Sequence, residues 1–372
     1  MHRLRATSAG LMAAVVLGAC TAGPAATPAP EASPAPVPPS GGRPSASAAP
    51  SGGPARQAPA APTPAAATPA STSSAAPRAA PRPDPLSLQA LIAKRYDGHG
   101  LRLGREGGST SAYRQYAVTY EGGGLTISGR IAVPRGRGPF PAVVLAHGYV
   151  DPAAYVGGQT MLRERDHLAR AGYVALHIDY RNHAESDDDP ANDAHLRLGY
   201  TEDAINAGLA LQQYPLVDRG RIGIVGRSMG GGVVLSALVV RPGLFKAAVA
   251  YSPVSSNTID NFNRWVRPDP SRSGVARQVI ARLGTPEAAP ARWAATSPRT
   301  FFARVSDPLM IHHGTLDEDC PIQWTRDTVA ALRAAGKPVE SHVYEGERHT
   351  FTAQWPLSIR RTTDFLDRYL RR

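Results

Sequence analysis

Five unbroken apolar runs punctuate this chain, and they constrain its fold more than any other feature. They are PAVVLAHG (141–148), YVALHIDY (173–180), RIGIVG (221–226), FKAAVAYSPV (245–254) and PLMIHHG (308–314). A strand with one wet face alternates apolar and polar residues. These runs do not, so both of their faces must be covered. Helical stretches are predicted between and after them, at 161–171, 200–214, 230–239, 323–335 and 355–370. Strands alternating with helices of this length give crossover units and a mostly parallel sheet with helices on both faces. Upstream, 116–120 and 125–133 alternate as a hairpin around Gly122, Gly123 and Gly124, and 339–344 reads as a last strand. The span 255–305 breaks the rhythm. It holds Trp265, Trp293 and two proline-rich patches, and reads as an insertion over the ligand crevice.

Residues 225–231 read VGRSMGG. A strand ends at Gly226 and a helix starts near Met229, so Ser228 falls on a strand-to-helix turn. A serine there is pushed out at the carboxyl end of the sheet. Gly226 and Gly230 remove side chains that would collide in so tight a turn. The string Gly-x-Ser-x-Gly alone is moderately specific, and a serine N-cap on a glycine-rich turn is the plain alternative. With a strand before and a helix after, it reads as a nucleophile elbow.

A hydroxyl is a poor nucleophile until a base takes its proton. The elbow order is Ser, then acid, then His. After Ser228 the candidate histidines are His312, His313 and His349. His349 follows the last strand, in YEGERHTF, on a loop at the carboxyl edge of the sheet. It is the expected base. His312 and His313 end a buried strand and are expected to pack or orient the loop. The acid should come from HHGTLDEDCP, which offers Asp317, Glu318 and Asp319. Position alone leaves these three open. Oxyanion donors are expected from the backbone amide of Met229 and, in AHGYVDP, from that of Tyr149, whose side chain would also face the pocket.

From Glu287 to Phe351 the sequence resembles the C-terminal half of the catalytic domain of the prolyl oligopeptidase family, a branch of the α/β hydrolases. VDRGRIGIVGRSMGG and LFKAAVAYSPV carry the same resemblance. It implies an α/β-hydrolase fold and a serine hydrolase. It also selects Asp317, the first aspartate after His-Gly-Thr-x, and His349, after Tyr-x-Gly-x-x. Glu318 and Asp319 are then surface or loop-fixing groups. Cys320 stands where the family usually has valine, as a buried thiol would. DYRNHAESDDDP (179–190) resembles a segment common in α/β hydrolases, with Asn182 and Ala184 in place of the usual glycines. Its acids at 187–189 read as solvated rather than cation-binding. Arg227, beside the nucleophile, could pair with a carboxylate or hold the elbow. Trp265 and Trp293 are weak candidates for an apolar acyl pocket, with core packing the plain alternative for each.

The large peptidases of that family also carry a propeller that selects peptides. Here only a tether precedes residue 88. The resemblance is therefore to a short form, and such forms are often carboxylic ester hydrolases. Esters also demand less protonation of the leaving group than amides. The expected activity is ester hydrolysis. A peptidase or amidase acting on short peptides is the alternative, and a silent binding module is a third possibility.

Residues 1–20 have a basic start (Arg3, Arg5), an apolar run of about 11 residues too short to span a bilayer, and then Cys20. Leu17-Gly18-Ala19-Cys20 resembles the lipobox of bacterial lipoprotein signals, which implies lipidation of Cys20 and export to the cell envelope. Residues 21–87 are almost all Ala, Pro, Ser, Thr and Gly, a composition that cannot fold. They read as a tether, leaving 88–372 as one α/β domain. The net charge of +11 is mostly arginine and is spread out, so nucleic-acid binding is not expected. With Cys20 lipidated, Cys320 has no partner for a disulfide. No dinucleotide or phosphate loop is present, and no cofactor or metal is expected.

Overall fold

A computed structural model of the chain describes residues 83–371. The signal segment 1–20, Cys20 and the tether up to residue 82 lie outside them. A short helix, α1 (Leu88–Ala93), leads into a meander of β1 (His99–Glu106), β2 (Tyr113–Gly122) and β3 (Leu125–Pro134). Then strands and helices alternate: β4 (Phe140–Ala146), α2 (Leu162–Arg170), β5 (Val174–Ile178), α3 (Gly199–Gln212), β6 (Val217–Arg227), α4 (Met229–Val240) and β7 (Ala248–Tyr251). Three helices follow, α5 (Thr258–Trp265), α6 (Ser273–Leu283) and α7 (Pro290–Ala294). The chain closes with β8 (Leu309–Gly314), α8 (Ile322–Ala334), β9 (Val339–Tyr344) and α9 (Trp355–Leu370).

The strands form one sheet in the order β1-β2-β3-β5-β4-β6-β7-β8-β9. Pairing is antiparallel from β1 to β5 and parallel from there on. This is the expected α/β-hydrolase architecture. Along β4, Ala142, Val144 and Ala146 face a core shared with α3 and α4. Val143 and Leu145 face a second core shared with α2 and α9. Side chains alternate between faces, and both faces are dry, so the run is apolar throughout. In the hairpin, Gly122 pairs with Leu125, and Gly123 and Gly124 take φ of +63° and +81°. A two-residue turn of this hand needs positive φ at both central positions.

β1 has no counterpart in the sequence reading. It is an edge strand, HGLRLGRE, mostly exposed and irregular in register against β2. Charges and irregular register are common on edge strands, and they erase the apolar alternation.

The insertion 255–305 folds into α5, α6, α7 and short turns, with a small core of its own. Phe262, Ala276, Val279, Leu283 and Trp293 pack there with Leu86. Trp293 is therefore not a pocket residue, contrary to the sequence expectation. It is fully buried, its ring centroid is 4.7 Å from that of Phe262, and its Nε1 donates to the Gly284 carbonyl. Leu86 and Ser87 fall inside the predicted tether, yet both are buried. Ser87 caps α1, Leu88 N donates to the Ala295 carbonyl, and Asp84 pairs with Arg292 at 3.1 Å. The end of the tether is thus fastened to the insertion. Leu86→Ala should cost about 2–5 kcal/mol, the usual range for emptying a buried leucine site. A urea melt checks this, and an unchanged midpoint would contradict the packing.

Candidate active site

The sheet brings the site together by register. β4 lies between β5 and β6, at the point where the strand order reverses, and crevices form at the carboxyl ends of strands there. Ala146 is level with Gly226. Gly148 and Ser228 each lie two residues past that rung, on adjacent loops. A Cβ built on Gly148 would be 3.3 Å from Ser228 Cβ, so the two backbones run close together.

Ser228 has φ +56° and ψ −120°, a conformation that non-glycine residues rarely adopt. The glycines around it are sterically required. A Cβ on Gly226 would collide with the Gly230 carbonyl, and one on Gly230 with the Ala146 carbonyl. The turn ends in α4, whose first residue is Met229. An amide at that position has no intrahelical acceptor. The Tyr149 amide likewise makes no hydrogen bond among the described residues. Neither predicted oxyanion donor has an acceptor among the described residues.

Asp317 follows β8, and His349 follows β9. His349 Nδ1 is 2.9 Å from each carboxylate oxygen of Asp317. Asp317 Oδ1 also accepts from the amides of Asp319 and Cys320, and His313 Nε2 lies 3.2 Å from Oδ2. Burial works to raise the Asp317 pKa. Hydrogen bonds from His313 and His349 outweigh it and hold the carboxyl well below the usual carboxylate range. An ionised acceptor at Nδ1 keeps the proton there and leaves Nε2 as the basic nitrogen. Ser228 and His349 line the same cavity, with no direct hydrogen bond between them among the described residues. Such pairs are often loose before substrate binds.

The neighbours take structural roles. His313 bonds Thr325 Oγ1 and the Cys320 carbonyl besides Asp317, so it braces the acid loop. His312 lies between Tyr344 and Thr362. Cys320 is fully buried, and burial pushes its thiol well up, so it is held as the thiol. Glu318 bonds Arg348 and the His349 amide, and Asp319 is 3.8 Å from His349 Nε2. Asp187 accepts from Thr126 N, and Asp189 pairs with Arg181. Asn182 and Ala184 adopt φ of +67° and +51°, the conformation glycine would favour there.

The cavity is about 750 Å³. The insertion contributes Trp265, Val266, Val275 and Val279 to its lining, and α4 contributes Met229 and Val233. Trp265 therefore borders the cavity, one of the two readings the sequence left open for it. Arg227 also lines the cavity, but its charge is already taken by Glu164, which accepts from Trp355 Nε1 as well. Glu164, Arg197 and Arg272 were not visible as site residues in the sequence. They come from α2, the β5–α3 connection and the insertion, and no local pattern marks them.

A model of the prolyl oligopeptidase family matches residues 160–372, more than half of the chain. The chain belongs to the prolyl oligopeptidase family. Similar proteins include an uncharacterized peptidase, YtmA, of Bacillus subtilis. It is 26% identical over 240 residues, which cover 64% of this chain and 87% of that one. A monoacylglycerol lipase of Mycolicibacterium smegmatis is 32% identical over 184 residues, covering 48% and 59%. The solved structure of Porphyromonas gingivalis dipeptidyl peptidase 4 superposes with a TM-score of 0.53 at 22% identity. It covers 72% of this chain but only 36% of that structure. This prolyl oligopeptidase family member is a serine hydrolase of the α/β-hydrolase superfamily, with relatives named as a peptidase and as a lipase.

Proposed function

We propose that the chain hydrolyses carboxylic esters of bulky apolar acids or alcohols, with Ser228 as nucleophile, His349 as base and Asp317 as the orienting acid. The observation that carries this is the large cavity opening on Ser228 and His349, walled by Met229, Val233, Val266, Val275 and Val279. A predominantly apolar wall favours a group that brings no charge to bury. Two of the cavity's carboxylates are already occupied: Glu164 holds Arg227 and Asp193 holds Arg197. They are poorly placed to hold the ammonium of a peptide as well.

His349 Nε2 takes the Ser228 proton as Oγ bonds to the substrate carbonyl carbon. The carbonyl oxygen becomes an oxyanion facing the amides of Met229 and Tyr149. The carbon–oxygen bond to the alcohol breaks, and the alcohol leaves with the proton held by His349. Water then loses a proton to His349 and attacks the acyl-enzyme, and Ser228 is released protonated. Asp317 stays ionised throughout.

The test compares p-nitrophenyl esters from acetyl to octanoyl with aminoacyl and dipeptidyl p-nitroanilides. Ester turnover with an optimum beyond acetyl is expected, with little anilide turnover. Anilide turnover of similar size, lost in Ser228→Ala, would make the protein a peptidase instead.

We also propose that the protein is exported and anchored through a lipid on Cys20. The support is the lipobox-like sequence and the Pro-rich tether after it. Metabolic labelling with a radioactive fatty acid should mark the wild type and not Cys20→Ala. Equal labelling of both would contradict the anchor.

A further inference from the structure

Tyr149 is 40% exposed, yet its ring is held by two guanidinium groups. Arg197 Cζ lies 4.4 Å from the ring centroid and Arg272 Cζ 4.8 Å. Both distances are well inside the range of cation–π attraction. The two arginines come from separate parts of the chain. Arg197 precedes α3, and Arg272 precedes α6 in the insertion.

Each arginine is itself fixed. Arg197 has φ +57°, its amide donates to the Asn192 carbonyl, and its Nε donates to Asp193 Oδ1 at 2.7 Å. Arg272 donates through its amide to the Asp269 carbonyl, its Nη1 reaches the Trp265 carbonyl at 3.4 Å, and its Nε is 3.5 Å from Asp269 Oδ2. Leu196, next to Arg197, packs on the core of the insertion, and His195 Nε2 is 2.8 Å from Arg282 Nη1 of α6. The ring is thus gripped by side chains that all belong to, or are tied to, the insertion.

What the ring sits on matters more. The Tyr149 amide has no acceptor among the described residues, and Gly148 beside it runs against Ser228. An oxyanion donor is useful only if it is preorganised, because misplacement by a fraction of an ångström weakens its bond to the developing charge. We propose that Arg197 and Arg272 are positioning residues that hold this amide in place by gripping the Tyr149 ring, so that catalysis depends on the insertion being seated. The proposal rests on the serine-hydrolase reading above. It makes the insertion part of the catalytic apparatus as well as a wall of the pocket.

The test is a double-mutant cycle on p-nitrophenyl butyrate, with kcat and KM measured separately. Arg272→Gln and Arg197→Gln should each lower kcat about 3- to 10-fold, the range expected for loss of one partly exposed cation–π contact, with KM changed less than about twofold. In a Tyr149→Ala or Tyr149→Leu background the same arginine changes should have no further effect on kcat. Arg272→Lys should recover part of the loss, since a cation returns to the ring. Equal losses with and without the Tyr149 ring would overturn the proposal. So would an effect confined to KM, which would make the arginines substrate-binding groups. Fluorophosphonate labelling run in parallel separates the two readings. A wild type that does not label at Ser228 would overturn the hydrolase reading and the clamp with it. Labelling with an unchanged kcat in Arg272→Gln would overturn the clamp alone.

Discussion

Ser228→Ala should reduce ester turnover by about 10,000-fold or more, the usual loss when a triad nucleophile is removed. Cys320 is the one cysteine among the described residues, and burial keeps it protonated. The substitution should leave the fold intact. The strain at φ +56° persists in alanine, and the packing around the turn is set by Gly226 and Gly230. The check is kcat on the best ester together with a thermal melt. Retained turnover in a folded Ser228→Ala protein would remove Ser228 from the chemistry.

Asp317→Asn should cost about 10,000-fold in kcat with little change in KM. An asparagine amide can turn its NH2 toward His349 Nδ1. The imidazole would then carry its proton on Nε2, where it cannot accept one from Ser228. The same change should also cost stability. Asp317 accepts from the amides of Asp319 and Cys320 and from two histidines, more donors than one amide oxygen can serve. The folded carboxyl titrates below its unfolded value of about 3.9. Its contribution to stability is therefore fully present above about pH 4 and is lost as pH falls through the lower folded value. Urea midpoints for wild type and Asp317→Asn should differ at pH 7 and converge in acid. Equal midpoints at pH 7 would contradict the hydrogen-bond network.

Much of the sheet was legible because burial on two faces leaves a signature. Val143, Val144 and Leu145 point to different cores, and nothing polar can occupy any of them. The elbow was legible because its glycines are steric requirements, visible as letters. β1 was not, since an exposed edge strand is specified by its partner rather than by its own residues. Trp265 and Trp293 show the limit within one segment. Both sit in the insertion and look alike in sequence. One borders the cavity with its ring centroid 5.3 Å from that of Trp324, and the other is sealed under Leu86, some 200 residues earlier in the chain. The grip on Tyr149 is of the same kind, joining residues 149, 197 and 272 that no local pattern connects.

The acid and base were placed by a different route. His349 follows from topology, because the loop after β9 has to reach the carboxyl edge of the sheet. Asp317, Glu318 and Asp319 are equivalent by position, and only the family resemblance separated them. The structure gives the physical reason. Asp317 turns into the protein, toward His313 and His349, while Glu318 and Asp319 stay at the surface.

Whether Ser228 is the nucleophile is decided by treating the protein with a fluorophosphonate and locating the adduct by peptide mass spectrometry. One adduct is expected on Ser228 in the wild type, slowed strongly in His349→Ala and absent in Ser228→Ala. An adduct on another residue, or none in a folded wild-type protein, would contradict it.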